Sequence, residues 1–280
     1  MRRLLRNPTG AGAAVALSAI LAAALLARRV APYRWDSIEL DHVNEAPTLR
    51  HLFGTDQVGR DVFSRTLWGL QTTVEVGLAA AGIATVVGVT VGVVSGYYGG
   101  TLDAALMRFV DLVASFPTLV LALAAIVLFS PVWPHTLMLV LGLSTWTIVA
   151  RVVRGVAATT AATGYVEAAR ALGGSDVQIL RRHVLPNVAG TVLVAATSVL
   201  GQALLLEATI EFFSYGLPAS RWPALGNLLA DTTSTGALGL SGYRWLGWWT
   251  WAFPAAALAL LLACVNIVGD ALDEALNPLR

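Results

Sequence analysis

The sequence predicts an all-α, polytopic membrane protein with six transmembrane helices, and three observations carry that prediction. Apolar residues make up 56% of the chain and charged residues 12%, where a soluble domain carries roughly a quarter charged residues. The mean hydropathy is +0.70. Six apolar runs nearly free of charge recur along the 280 residues, close to the roughly 20 residues that a bilayer-spanning helix needs.

The runs cover residues 11–27, 76–94, 112–129, 137–150, 188–206 and 251–268. The fourth is short, so its helix is expected to extend from near His135 to Arg151. The first follows Arg2, Arg3 and Arg6 as a secretory signal would. It is long, however, and Arg28 and Arg29 follow it without a small-residue cleavage site, which predicts a retained helix. All 18 basic residues are arginine, a bias that fits a GC-rich bacterial genome. A formal net charge of +1 gives no sign of a nucleic-acid partner. Cys264 stands alone inside the last run, can form no internal disulfide and reads as a packing residue.

The arginines set the expected orientation. The N-terminal tail has three, and the 151–186 segment has Arg151, Arg154, Arg170, Arg181 and Arg182. The positive-inside rule places both in the cytoplasm, and six crossings then put the C-terminus there as well. Residues 30–73 fall outside on this topology although they hold Arg34, Arg50, Arg60 and Arg65, long loops weighing less in the rule.

Residues 165–187, YVEAARALGGSDVQILRRHVLPN, interrupt the apolar pattern with Glu167, Arg170, Asp176, Arg181, Arg182 and His183. The Ala- and Leu-rich start is helix-prone, and Gly173–Gly174 ends that helix. Ser175 to Gln178 fits the S-x-x-Q capping box that opens a new helix, which is expected to stop before Pro186. The segment is thus predicted to be a two-helix elbow outside the hydrocarbon. Ala168, Ala169 and Ala171 give the first helix a thin profile suited to a groove in another protein, with Glu167 and Arg170 at its rim. An amphipathic helix resting on lipid headgroups through Arg181 and Arg182 fits the pattern equally well.

These residues also carry a resemblance. Glu167-Ala168-Ala169, then Gly173, then His183-Val184-Leu185-Pro186 resembles the EAA loop of binding-protein-dependent ABC importer permeases. Residues 51–65 (HLFGTDQVGRDVFSR), Gly96-Tyr97-Tyr98-Gly99-Gly100 with Asp103, Met107, Arg108 and Asp111, then Phe116-Pro117 and Asn277-Pro278 are similar to the C-type subunit of the dipeptide/oligopeptide/nickel branch. The likeness runs from His51 to the end. It implies a type I ABC importer permease fold whose cytoplasmic coupling helix docks into a cleft on an ATPase. Glu167, Ala168, Ala169, Arg170, Ala171, Leu172, Gly173, Ser175 and Pro186 are then the coupling residues. The implied partners are a second homologous permease, two cytoplasmic nucleotide-binding ATPases and an extracytoplasmic substrate-binding protein, besides membrane lipid. ATP and Mg would belong to the ATPases, with no cofactor on this chain. The implied cargo is di- or oligopeptides, with nickel or another small solute as the alternative. Where the family has Leu-Ser-Phe-Leu-Gly after a glutamate, this chain has Glu211 in place of the small hydroxyl residue. The expected division is a tail, first helix and extracytoplasmic segment over residues 1–72, and a five-helix permease core over residues 73–280.

The remaining features divide between packing and transport. Gly88, Gly92 and Gly96 have the small-xxx-small spacing of closely packed membrane helices. Pro117 is expected to bend the third helix and to stand on the translocation path. Glu207 and Glu211 share a helix face. They are expected either to line the outer mouth of the path or to sit in water at the outer interface. Asp61 reads as a helix cap, and Tyr243, Trp245, Trp248, Trp249 and Trp251 as an interfacial aromatic belt.

A phosphate-binding P-loop requires a lysine, which the chain lacks. A transporter of this kind must borrow its motor. A membrane enzyme is disfavoured because His42, His51, His135 and His183 are scattered and neither H-E-x-x-H nor G-x-S-x-G occurs. A stand-alone channel or ion-coupled carrier would need no cytoplasmic docking element, and no inverted repeat is evident.

Overall fold

The computed structural model describes residues 8–129, 132–234 and 247–276. Among them the elements are α1 (Pro8–Leu25), α2 (Ala27–Val30), α3 (Val62–Tyr98), α4 (Gly100–Ala114), α5 (Thr118–Leu128) and α6 (Pro134–Ala161). They continue with α7 (Gly164–Ala171), α8 (Asp176–Ile179), a π-turn (Leu180–Val184), α9 (Leu185–Phe212), α10 (Leu225–Ser234) and α11 (Trp249–Leu276). Five stretches are long and apolar enough to cross a membrane, and α4 with α5 form a sixth, bent by 84°.

Packing of α3 on α6 decides how that bent pair counts. A Cβ at Gly88 would lie 2.5 Å from the Val149 Cβ, at Gly92 2.6 Å from the Ala150 carbonyl oxygen, and at Gly96 2.5 Å from the Arg154 carbonyl oxygen. Gly142 repeats the arrangement from the other side, 2.9 Å from the Ala80 carbonyl oxygen. Contacts climb both helices in step, so α3 and α6 are parallel. Parallel helices need a return crossing between them, and only α4–α5 lies between. The pair is therefore one broken span, the chain crosses six times, and Pro8 and Leu276 emerge on the same face. The glycine stripe is a packing seam in which missing side chains let two backbones touch.

Several boundaries differ from the sequence reading. The span expected near 135–151 reaches Ala161, because polar Arg151 and Arg154 are held by Asp111 and Asp103 of α4. Pro117 lies not inside a helix but at its break, capping α5. The helix after Ser175 does not stop at Pro186. It runs on through Phe212 because the π-turn gives the proline ring room, with the Leu185 N–H bonding back to the Leu180 carbonyl. Residue 72, the expected division, falls inside unbroken α3.

The face at Val62 carries a polar cap made by residues 31–61. Asp61 caps α3 by accepting from the Ser64 N–H at 2.7 Å, and its other oxygen meets buried His51 Nδ1 at 2.9 Å. Asp56 Oδ2 accepts from Arg60 at 2.7 Å and from Arg65 at 2.6 Å, and Arg65 reaches on to Asp231 of α10 at 2.8 Å. The Trp249 indole N–H donates to the Thr55 carbonyl at 3.0 Å, and Phe53 stacks on Phe253 of α11 at 3.9 Å. Trp249 is therefore buried inside the cap, while Trp248 and Trp251 are exposed as a belt requires. Tyr243 and Trp245 lie outside the described residues.

Two outcomes are expected of this packing. Gly92→Leu forces α3 off α6 and lowers stability by about 1–3 kcal/mol, the usual cost of overpacking, whereas Gly82→Ala, with open space around it, leaves the thermal midpoint in detergent unchanged or slightly raised. Asp56→Ala removes one of the two carboxylates that hold the buried Arg65 guanidinium, leaving Asp231, and costs about 1–3 kcal/mol, read as a lower thermal midpoint of the purified protein.

Candidate coupling elbow and buried carboxylates

On the face opposite the cap, α7 and α8 meet at a chain turn fixed by backbone bonds. Gly173 has φ +83°, a conformation that side chains disfavour. The Gly173 N–H bonds the Arg170 carbonyl at 3.0 Å and the Gly174 N–H bonds the Ala169 carbonyl at 3.0 Å, a Schellman motif that satisfies the end of α7. Ser175 then caps α8, its hydroxyl accepting from the Gln178 N–H at 3.4 Å. Only this half of the predicted capping box forms.

The elbow is anchored from within. Val166, Ile179 and Val184 are fully buried in the cluster that contains Val110, Val153 and Ala157. Tyr97, at the end of α3, donates its hydroxyl to Asp176 at 2.7 Å, and the Arg170 guanidinium lies over the same ring, 5.4 Å from its centroid. Tyr165 accepts from Asn187 at 3.1 Å, which ties the start of the elbow to α9. Glu167, Ala168, Ala171 and Leu172 point outward, Leu172 with 90% of its surface exposed, and Ala169 is half-buried. Pro186 is exposed on the first turn of α9. The sequence motif gives Tyr97 no role of its own, and only its position at the foot of α3 reveals it as the anchor.

Glu207 and Glu211 are fully buried, a placement that differs from both sequence expectations. Glu207 Oε1 accepts from the Thr73 hydroxyl at 3.2 Å, and that hydroxyl accepts from the Leu225 N–H at 3.1 Å. Glu211 Oε1 accepts from the Leu217 N–H at 2.7 Å, in the room left by Gly216, whose Cβ would fall 2.4 Å from the carboxyl carbon. Among the described residues no cationic side chain pairs with either, and each keeps one oxygen without a partner. The two carboxyls bind the α9–α10 connection to α3. Neither carboxyl is exposed in the single chain, so neither sits in interfacial water. Their burial comes from α10 folding back on α9, with Gly226 against the Ala208 backbone, a contact absent from the local sequence.

Beside the α4–α5 break, α3, α4, α5 and α6 enclose an open groove of about 800 Å³ that includes Val87, Phe109, Phe116, Leu121, Leu143 and Trp146. No group of three or more His, Cys, Asp or Glu side chains among the described residues is placed to hold a metal ion.

A six-crossing helical bundle with a broken span and an anchored, outward-facing elbow defines a membrane transport permease rather than an enzyme. Residues 88–280 match the family described as binding-protein-dependent transport system inner membrane component, and the chain belongs to that family. It is 32% identical to the oligopeptide transport system permease protein OppC of Mycobacterium tuberculosis over 283 residues, covering 99% of this chain and 93% of that protein. The corresponding OppC of Mycobacterium bovis gives the same figures. In fold it is similar to an inward-facing structure of the MetNI methionine ABC transporter, with a TM-score of 0.58 and 20% identity over 75% of this chain and 94% of that one. The fold is that of a type I ABC importer permease, a multi-pass membrane subunit that works with ATPase and substrate-binding partners.

Glu211→Gln keeps an acceptor for the Leu217 N–H while removing an ionisable group that lacks a cationic partner. Its thermal midpoint is expected to equal or exceed that of the native chain. A drop equal to that of Glu211→Ala would reveal a cationic partner for the carboxylate.

Proposed function

We propose that this chain is one of two homologous permease subunits of an importer for di- or oligopeptides, and that α7 with its Gly173 turn is the element through which a cytoplasmic ATPase drives it. The observation that carries the reading is the division of the elbow into two surfaces. Val166, Ile179, Val184 and Tyr97 fix its inner side to the spans, while its outer side presents Leu172, Ala168 and Ala171 between Glu167 and Arg170. Exposed apolar side chains ringed by charge suit a cleft in another protein.

Family membership supports ATPase and binding-protein partners in general. The two-ATPase stoichiometry and the sister permease belong to the proposal, as does peptide cargo, which is supported by the oligopeptide permeases the chain is similar to. The five arginines of residues 151–186 support a cytoplasmic location for the elbow's face, and with it for the face at which Pro8 and Leu276 emerge. ATP and Mg are bound by the ATPases, and this chain needs no cofactor of its own. Nucleotide-driven closure of the ATPases would push α7, and the push would enter α3 at Tyr97 and α9 through the unbroken run from Asp176 to Phe212.

Purification through a tag in mild detergent is expected to bring down a sister permease and two nucleotide-binding subunits, whereas a chain that transports alone without ATP would refute the reading. In the assembled importer Gly173→Pro, with φ locked near −65°, should lower the ratio of peptide taken up to ATP hydrolysed by at least about tenfold. Gly173→Asn tolerates the left-handed backbone and should retain most of that ratio.

A further inference from the structure

The two arms of the elbow meet at a turn that no neighbour packs against. A Cβ added at Gly173 would find no atom within 4 Å, so side-chain packing at the turn does not fix the angle between α7 and α8. Two backbone hydrogen bonds close the turn itself. Further out, Val166 of α7 and Ile179 of α8 are buried in one apolar cluster. Apolar contact is non-directional. It holds both arms against the spans without choosing the angle at which they meet.

Tyr97 supplies the directional contact. It is the second-last residue of α3 and is buried. Its neighbour Gly96 fixes its place by lying against the α6 backbone, where a Cβ would fall 2.5 Å from the Arg154 carbonyl oxygen. From there Tyr97 meets one charged side chain on each side of Gly173. Its hydroxyl donates to the Asp176 carboxylate of α8 at 2.7 Å, and the Arg170 guanidinium of α7 lies over its ring, 5.4 Å from the centroid. The first contact is a charge-assisted hydrogen bond, about twice as strong as a neutral one. The second is a cation–π contact. Arg170 and Asp176 also attract one another across the turn.

The three groups differ in exposure. Tyr97 is buried, whereas Arg170 and Asp176 are exposed on the elbow. Arg170 stands at the rim of the outward surface beside Ala171 and Leu172, so a protein seated there reaches the Tyr97 ring through Arg170. Asp176 opens the helical run that continues to Phe212. One phenol therefore touches α7 and the start of the run into α9 from the foot of α3.

We propose that Tyr97 is a positioning residue for coupling, a clamp that holds α7 and α8 at a set angle so that a displacement of α7 moves α3 and the 176–212 run together. The proposal rests on the importer reading above and adds to it a residue outside the 165–187 segment. Without the clamp, the Gly173 turn is a loose joint that absorbs part of each displacement. ATP is then hydrolysed with less peptide moved.

Hydrogen exchange and transport, both measured on the assembled importer in lipid vesicles, test the clamp. Tyr97→Phe deletes the hydroxyl and keeps the ring under Arg170. Exchange of the Gly173 and Gly174 amides should quicken at least about tenfold, as loss of a hydrogen bond to a charged group implies. The ratio of peptide taken up to ATP hydrolysed should fall at least about threefold with it. Asp176→Asn keeps a carbonyl acceptor for the hydroxyl and should hold a higher ratio than Asp176→Ala. Adding Tyr97→Phe to Asp176→Ala should lower the ratio no further, because both remove the same bond. Tyr98→Phe, the same deletion on the exposed neighbouring ring, should match the native chain. Native exchange at the turn in Tyr97→Phe overturns the proposal. So do failure of that variant to assemble and equal falls in uptake and hydrolysis, since either makes the contact merely structural. A native complex without ATP-driven uptake sinks the importer reading instead, and exchange at the turn then judges the clamp by itself.

Discussion

Backbone contact between α3 and α6 is the constraint from which the rest of the bundle follows. Gly88, Gly92 and Gly96, with Gly142 closing the seam from the other side, let the two helices touch from Ala80 to Gly96, about four turns of α3. In lipid there is little hydrophobic gain in bringing two apolar helices together, so close van der Waals packing must hold them. Because the seam is parallel, the chain between must return across the membrane in the 35 residues from Gly99 to Trp133. A long straight helix would fill that return. This chain instead spends it on an 84° bend and an 11-residue second piece, and the groove is the space the bend leaves open.

Polar groups in this apolar chain find three different solutions. In the cap, Asp56, Arg60, Arg65 and Asp231 pair with one another, so burial costs are offset by strong hydrogen-bonded ion pairs. Glu207 and Glu211 have no counter-charge among the described residues and rely on one hydroxyl and one backbone N–H. The backbone groups of the α4–α5 break have no helical partner. Each solution suits its position: a cap, a fixed turn at the end of α9, and a broken span.

The elbow joins these parts mechanically. Its apolar anchors enter the same buried cluster as Val149, Ala150 and Val153 of the α3–α6 seam. Through Asp103–Arg154 the seam is tied to α4, which carries the break. Packed contacts thus run from α7 to α4, and the π-turn before Pro186 keeps the helix continuous into α9.

The sequence by itself determined the solvent, the number of crossings, the glycine seam, the Asp61 cap and the Gly173 turn. Each of those depends on composition, spacing or a local backbone preference, which are properties of neighbouring residues. It also placed the elbow between the right spans, but it does not show the helix running on through Pro186, because a π-turn that relieves the ring clash has no local signature. Tertiary structure alone decided that Glu207 and Glu211 are buried, that Trp249 belongs to the cap and that Asp231 pairs with Arg65, 166 residues away. It also turned the bend at Pro117 into an open groove. In each of those cases the partner comes from a distant part of the chain, and the energetic meaning of a charge, an indole or a broken helix is fixed by what packs against it.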